Sequence, residues 1–197
     1  MKVLYLIRHG VAEHNVQYNK IGKKAFYGEK NTDTKLTEEG HQQSIVLGQT
    51  WETINDIELV LCSSLTRALE TAENIFIQSN VKMIALDLLK EFPEGLQTVN
   101  KRSNKEDLIQ TYKKIDFSYL DTNEDSTWNP KREETIDELN ERIEKIDEFI
   151  KTRKEEKIAI VGHSSFIGQY KDKKIGLMEN GDEELLHCFP YKYYFKL

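Results

Sequence analysis

Arg8 and His9 close the apolar run "KVLYLI", and Gly10 follows them. Farther along, Ser63, Ser64 and Arg67 come after "IELVLC", and His163 and Ser164 come after "KIAIVG". A fourth group, Glu91 and Glu94, follows a Leu-rich strand candidate in "LLKEFPEG". Two imidazoles, two guanidiniums and a carboxylate meeting in one place would hold a metal poorly. The cations would repel the ion, and no HxH or HExxH spacing ties the histidines together. The same set suits a phosphoryl group, because arginine is always charged and presents a planar fork of donors that fits phosphate oxygens. No Gly-rich Walker loop is present, which removes nucleotide binding by that route. Singly, each group has a plainer reading: a satisfied strand-end histidine, a surface arginine, a hydroxyl capping a helix. The phosphoryl reading needs all of them at one edge.

The elements that carry these residues share a pattern. A β-branched or Leu-rich run, a polar knot and a helical stretch recur three times, in "KVLYLIRHG", "IELVLCSSLTRALETAENIF" and "KIAIVGHSSFIGQYKD". Residues 57–62 and 158–161 read as buried strands, and Ala68, Leu69, Ala72, Ile75 and Phe76 recur at helical spacing after the second. Continuous apolar strands alternating with helices predict an α/β fold, a three-layer α/β/α sandwich with a mainly parallel central sheet. In such sheets ligands bind beyond the carboxyl ends of the strands, where all three knots fall. Thr37 followed by Glu38 and Glu39 marks a helix start. A longer helix places Ile136, Leu139, Ile143, Ile146 and Ile150 on one face, with its charge run expected in solvent. Residues 92–130 lack periodicity and hold two of the three prolines, and read as a long excursion serving as lid and specificity surface.

The chain has 197 residues and a formal net charge of −6, room for one well-buried domain over 1–197 and no basic face for nucleic acid. A few cations in a cleft can still focus a positive field on a small anion. The first residues already read as a strand, so neither a leader nor a membrane span is expected, and the expected compartment is the cytoplasm. Cys62 and Cys188 sit among apolar or aromatic residues and read as two buried thiols in a reducing environment.

With these pieces in view, the chain resembles the histidine phosphatase superfamily, the phosphoglycerate-mutase-like family. "RHG" at 8–10, Asn15, "DTKLTEEG" at 33–40, "SSLTRALETA" at 63–72, "LKEFPEG" at 89–95 and "GHSS" at 162–165 match in order and spacing over nearly the whole length. "NKRS" with "IDFSYLDTNEDSTW" is most similar to the eukaryotic phosphoglycerate-mutase-like proteins. The resemblance implies a nucleophilic His9 that becomes phosphohistidine, with Arg8, Arg67 and His163 holding the phosphoryl oxygens. It further implies Asn15 as an added donor and Glu91, in preference to Glu94, as general acid and base, with neither metal nor cofactor. Lys101 and Arg102 could read the non-reacting part of an anionic substrate, or form a solvated basic pair. His14, His41 and His187 read as structural or exposed, with His14 on the pocket rim as the one exception. The aromatic tail "HCFPYKYYFKL" reads as an edge strand or packed tail.

The glycolytic mutases of the family carry a Gly-Trp element soon after the first motif and a long insert near the acid. Here that stretch is "QYNKIGKKAFYGEKNTD", and Trp51 lies well beyond it. A mutase must keep water from its intermediate. Without those closing elements the expected activity is hydrolysis of a small phosphorylated substrate. A phosphoglycerate mutase is the alternative, and a non-catalytic module that only binds phospho-ligands is the second.

Overall fold

The computed structural model describes residues 1–175 and 185–196. Six strands form one sheet: β1 (Lys2–Arg8), β2 (Leu59–Ser63), β3 (Lys82–Leu86), β4 (Ile115–Asp116), β5 (Lys157–Gly162) and β6 (Tyr191–Phe195). Their order is β4-β3-β2-β5-β1-β6, parallel throughout except for β6, which runs antiparallel to β1 at the edge. Helices α1 (Glu13–Ile21), α2 (Glu38–Thr50), α3 (Thr66–Ile75), α4 (Lys105–Thr111), α5 (Ile136–Lys151) and α6 (Ser164–Asp172) connect them. No helix among the described residues is long and apolar enough to cross a membrane.

The strands read as unbroken apolar runs because both faces of the sheet are covered. Tyr5, Ile7, Val60, Cys62, Ala159 and Val161 point into one core with Leu47 of α2 and Leu69 and Ala72 of α3. Their neighbours Leu4, Leu6, Leu59, Leu61, Ile158 and Ile160 point into a second core with Ile143 and Ile146 of α5 and Phe166 and Ile167 of α6. This is the expected three-layer sandwich.

Thr37 caps α2, its hydroxyl accepting from Gly40 N at 3.1 Å, and Thr135 closes a capping box with Glu138 at the start of α5. Leu139, Ile143, Ile146 and Ile150 are buried as their spacing predicts, whereas Ile136 is exposed. One member of the charge run departs from its expected place. Arg142 is buried, forming a bidentate pair with Glu134 and donating to Leu88 O and Lys90 O. The Leu-rich strand candidate also shifts: β3 is the preceding "KMIAL", and residues 87–89 form a 3-10 turn.

Residues 92–130 contain α4 and β4 and are tied down by buried charge. Lys90 Nζ reaches both oxygens of Asp125 (2.9 and 2.8 Å) and pairs with Glu94 at 2.9 Å. Such a cluster tolerates burial because each charge has a partner; removing one would leave the others stranded.

Candidate active site

The site begins with strand register. Arg8 lies opposite Gly162 across the parallel β1–β5 pair, and His9 N donates to Gly162 O at 2.9 Å. The next residue on each strand is therefore a histidine, and the rings of His9 and His163 lie edge to face with centroids 5.1 Å apart. Strand β2, on the other side of β5, ends beside them, so that Ser63 Oγ meets His163 Nε2 at 2.8 Å and α3 begins with Arg67 in its first turn. Asp33 steadies that turn by accepting from the backbone and hydroxyl of Thr66, both at 2.8 Å. Gly10 is required by close approach: a Cβ there would stand 2.5 Å from Gly40 O. The tip of β1 can thus press against the start of α2, while Gly10 N donates to Thr71 Oγ1 of α3 at 3.1 Å.

Hydrogen bonding assigns the state of His9. Its Nδ1 lies 2.7 Å from Gly10 O, and a carbonyl can only accept, so Nδ1 carries the proton and Nε2 keeps its lone pair. Burial, then the charge of Arg67 and the neighbouring His163, His14 and His187, hold its pKa well below the usual histidine value. His163 is fully buried and shifted the same way, by burial first and Arg67 next, and its Nδ1 has no protein partner. Arg67 is 1% exposed; Nη1 donates to Val99 O (2.7 Å) and Nη2 to Asn100 Oδ1 (2.9 Å), while Nε has no partner in the protein. Burial brings its pKa down to about 10, opposed by Glu91 and Asp33, so it stays charged at neutral pH. Arg8 is buried too, with Nη1 donating to Leu185 O at 2.7 Å.

These groups face a cavity of about 510 Å³. Arg8, His9, Asn15, Arg67 and Glu91 line its inner end, and His163 packs against His9 without lining it. The two glutamates of "LKEFPEG" separate cleanly. Glu94 is buried between Lys90 and Arg142, off the cavity, whereas Glu91 lies on the wall at the start of α6. Glu91 Oε1 accepts from Phe92 N (2.8 Å) and Phe166 N (3.0 Å), and Oε2 is held loosely by Ser164 Oγ (3.4 Å) and Ser165 N (3.3 Å). Asn15 Oδ1 accepts from Ala12 N, which fixes its amide so that Nδ2 donates to His14 Nε2 at 3.2 Å.

Arg102 is corrected. It is 2% exposed and absent from the cavity wall. Its Nε donates to Asp87, Nη1 to Ser103 O and Asn123 O, and Nη2 to Thr122 O and Glu124 O, leaving no donor for a substrate. Lys101 sits over the Trp128 ring, 4.9 Å from its centroid. The expected specificity surface is also redistributed. Of residues 92–130 only Phe92, Pro93, Gln97, Val99 and Asn100 line the cavity; outside the inner end, the rest of the described wall comes from residues 14–27, Glu133, Glu134, Ser164, Ser165 and Ile175.

Two further histidines lie beside the nucleophile: His14, which the sequence places on the pocket rim, and His187, which it reads as structural or exposed. His14 is buried on the wall, its ring 5.8 Å from that of His9, and His187 is 5.7 Å away with Nδ1 bonded to His9 O. His187 arrives because the segment before β6 bridges to Arg8, with Cys188 N donating to Arg8 O at 2.9 Å. Its signal was faint: one histidine ahead of an alternating tail. Among the described residues no three histidine, cysteine or acidic side chains converge as metal ligands. Cys62 and Cys188 are both free thiols, the first buried and the second half-buried.

The chain is similar to several known proteins. Phosphoglycerate mutase-like protein 1 of Arabidopsis thaliana is 30% identical over 196 residues, spanning 84% of this chain and 69% of that protein. The structure of Bacillus stearothermophilus YhfR superposes with a TM-score of 0.63 at 22% identity, over 95% of this chain and 88% of that one. The mycobacterial glucosyl-3-phosphoglycerate phosphatase Rv2419c, solved with VO3, superposes at 0.56 and 19% identity, over 86% and 80%. The model of the histidine phosphatase superfamily, branch 1, matches residues 4–177, and with the paired histidines and arginines at one sheet edge this chain belongs to that superfamily.

Proposed function

We propose that this chain is a phosphomonoester hydrolase that works through a phosphorylated His9. The observation that carries the reading is the state of His9: a buried, neutral imidazole with its proton tied to Gly10 O, its Nε2 lone pair available, and two arginines on the same wall. Nε2 attacks phosphorus, the bond to the leaving oxygen breaks, and Glu91 gives that oxygen a proton. Oε2 of Glu91, the loosely held oxygen, is the one suited to carry it. Glu91 then takes a proton from water as the water oxygen attacks phosphorus; the Nε2–P bond breaks and inorganic phosphate leaves. Arg8 and Arg67 stabilise charge on the phosphoryl oxygens, Arg67 Nε being unpartnered in the protein, and the family resemblance gives the same role to His163, which packs against His9 with its Nδ1 unpartnered. The residues supply the needed positive charge without calling on a metal.

Relatives named for phosphoglycerate mutase keep the isomerase alternative in play, and the solved phosphatases favour hydrolysis. One assay separates them. Incubation with 3-phosphoglycerate, reading both phosphate release and 2-phosphoglycerate, should give release with little isomerisation; robust isomerisation without release overturns the proposal. Rapid acid-free quenching with a labelled substrate should trap label on His9, and a purely binding protein would trap none.

A further inference from the structure

From the walls of the cavity we infer that the preferred substrate is a phosphomonoester whose leaving group is uncharged and carries a flat apolar face, and that Glu133 rejects leaving groups bearing a carboxylate. This rests on the hydrolase reading and deepens it.

Flat rings lead outward from the nucleophile. The His14 ring lies 5.8 Å from that of His9, Phe26 meets His14 edge-on at 6.1 Å, and Tyr18 stacks on Phe26 at 5.2 Å with planes 11° apart. His14 is neutral here: Nε2 accepts from Asn15, which leaves the proton on Nδ1 toward Thr34 Oγ1 at 2.7 Å. Phe92 adds a further ring to the wall. Such surfaces favour an apolar or aromatic group and offer little to a hydrated one.

Charge in the outer cavity has the other sign from the inner end. Glu133 Oε1 accepts from Tyr27 Oη (3.2 Å) and Gln97 Nε2 (3.0 Å), so its carboxylate is held in place by side chains from two separate loops. Glu134 stands beside it, paired with Arg142. Beyond Arg8 and Arg67 the cation on the described wall is Lys23, which is exposed. A phosphate seated on the two arginines would therefore bring a carboxylate on its leaving group toward Glu133, and like charges placed close together penalise the wrong partner.

The test uses three phosphates that all leave as primary alkoxides, so leaving-group chemistry does not set the order: benzyl phosphate, glycerol 3-phosphate and 3-phosphoglycerate. Phosphate release by the full chain should fall in that order in kcat/KM, with benzyl phosphate ahead of 3-phosphoglycerate by about tenfold or more. Glu133→Gln should raise the ratio of 3-phosphoglycerate to glycerol 3-phosphate by about threefold or more, mainly through KM. Phe26→Ala should cut the ratio of benzyl phosphate to glycerol 3-phosphate by about fivefold. Ratios within one variant cancel any loss of folded protein. Benzyl phosphate no better than glycerol 3-phosphate, or 3-phosphoglycerate no worse, overturns the inferred substrate class and leaves the hydrolase reading standing. Release from none of the three overturns both.

Discussion

Arg67 and Arg102 are both buried arginines within reach of the same sheet edge, and they have opposite surroundings. Around Arg102 every donor is spent: Asp87 takes Nε, and four backbone carbonyls take the rest. Asp87 also accepts from Ser64 Oγ, and Asp125 accepts from Arg102 N and Lys90, so this knot binds the excursion to the end of β2. Arg67 has neutral partners, Val99 O and Asn100 Oδ1, and keeps Nε unspent beside a cavity. A buried cation with its counter-charge supplied internally is architecture. A buried cation whose bonds are left incomplete awaits an anion, and burial, only partly offset by Glu91 and Asp33, is what lowers its pKa to about 10.

The comparison can be broken at several points. The largest effect belongs to His9→Ala on the catalytic wall: we expect turnover of benzyl phosphate to fall by about four orders of magnitude or more, with no trapped phosphoprotein. Unchanged turnover would show that any activity came from elsewhere. Next, Arg67→Ala should lower kcat/KM by about 10³-fold, since it removes charge aimed at the phosphoryl group. Arg102→Ala should behave in the other way, costing about 3 kcal/mol of stability in urea titration because four backbone carbonyls lose their donor and the half-buried Asp87 loses its counter-charge. Its kcat/KM per folded molecule should stay within about threefold of the parent. If Arg102→Ala lost activity and kept its stability, the contrast between the two arginines would fail.

The smallest effect is in pH. His9, His14 and His163 have folded pKa values held well below 6.5, each by burial first, whereas the unfolded chain takes up protons near 6.5. The unfolded state therefore binds more protons as pH falls below 7, so stability is full above that range and lost going down. About 2 kcal/mol should go between pH 7 and 6 for the three together. The knot should not respond there. Burial pushes the Asp125 carboxyl up, but Lys90 and its other donors outweigh that and hold it below its usual value, so it stays ionised. Urea midpoints at the two pH values test this, and His14→Asn should reduce the slope. On the activity side, the acid limb that belongs to His9 should lie well below 6.5 in the pH profile of kcat/KM, which reports the free enzyme.

Much of this site could be read before any fold was known. Arg8, His9, Arg67 and His163 stand directly after apolar runs or one helical turn beyond, and parallel strands must deliver their carboxyl ends to one edge. Glu91 and Glu94 could not be separated by spacing, since which one has Lys90 and Arg142 as partners depends on α5 packing against the turn that carries them. His187 was not legible either, because β6 adds to the sheet beside β1 after long chain separation and nothing local announces that pairing.

By itself the sequence determined the layered sheet and the chemistry at its edge, because period and strand-end position are local properties of the chain. Tertiary structure alone decided which buried charges are partnered. On paper Arg102 read as either a substrate contact or half of a solvated basic pair, and its assignment to architecture came from carbonyls and a carboxylate gathered from five other positions. Burial and counter-charge are sums over remote neighbours, and they exist only once the chain has folded.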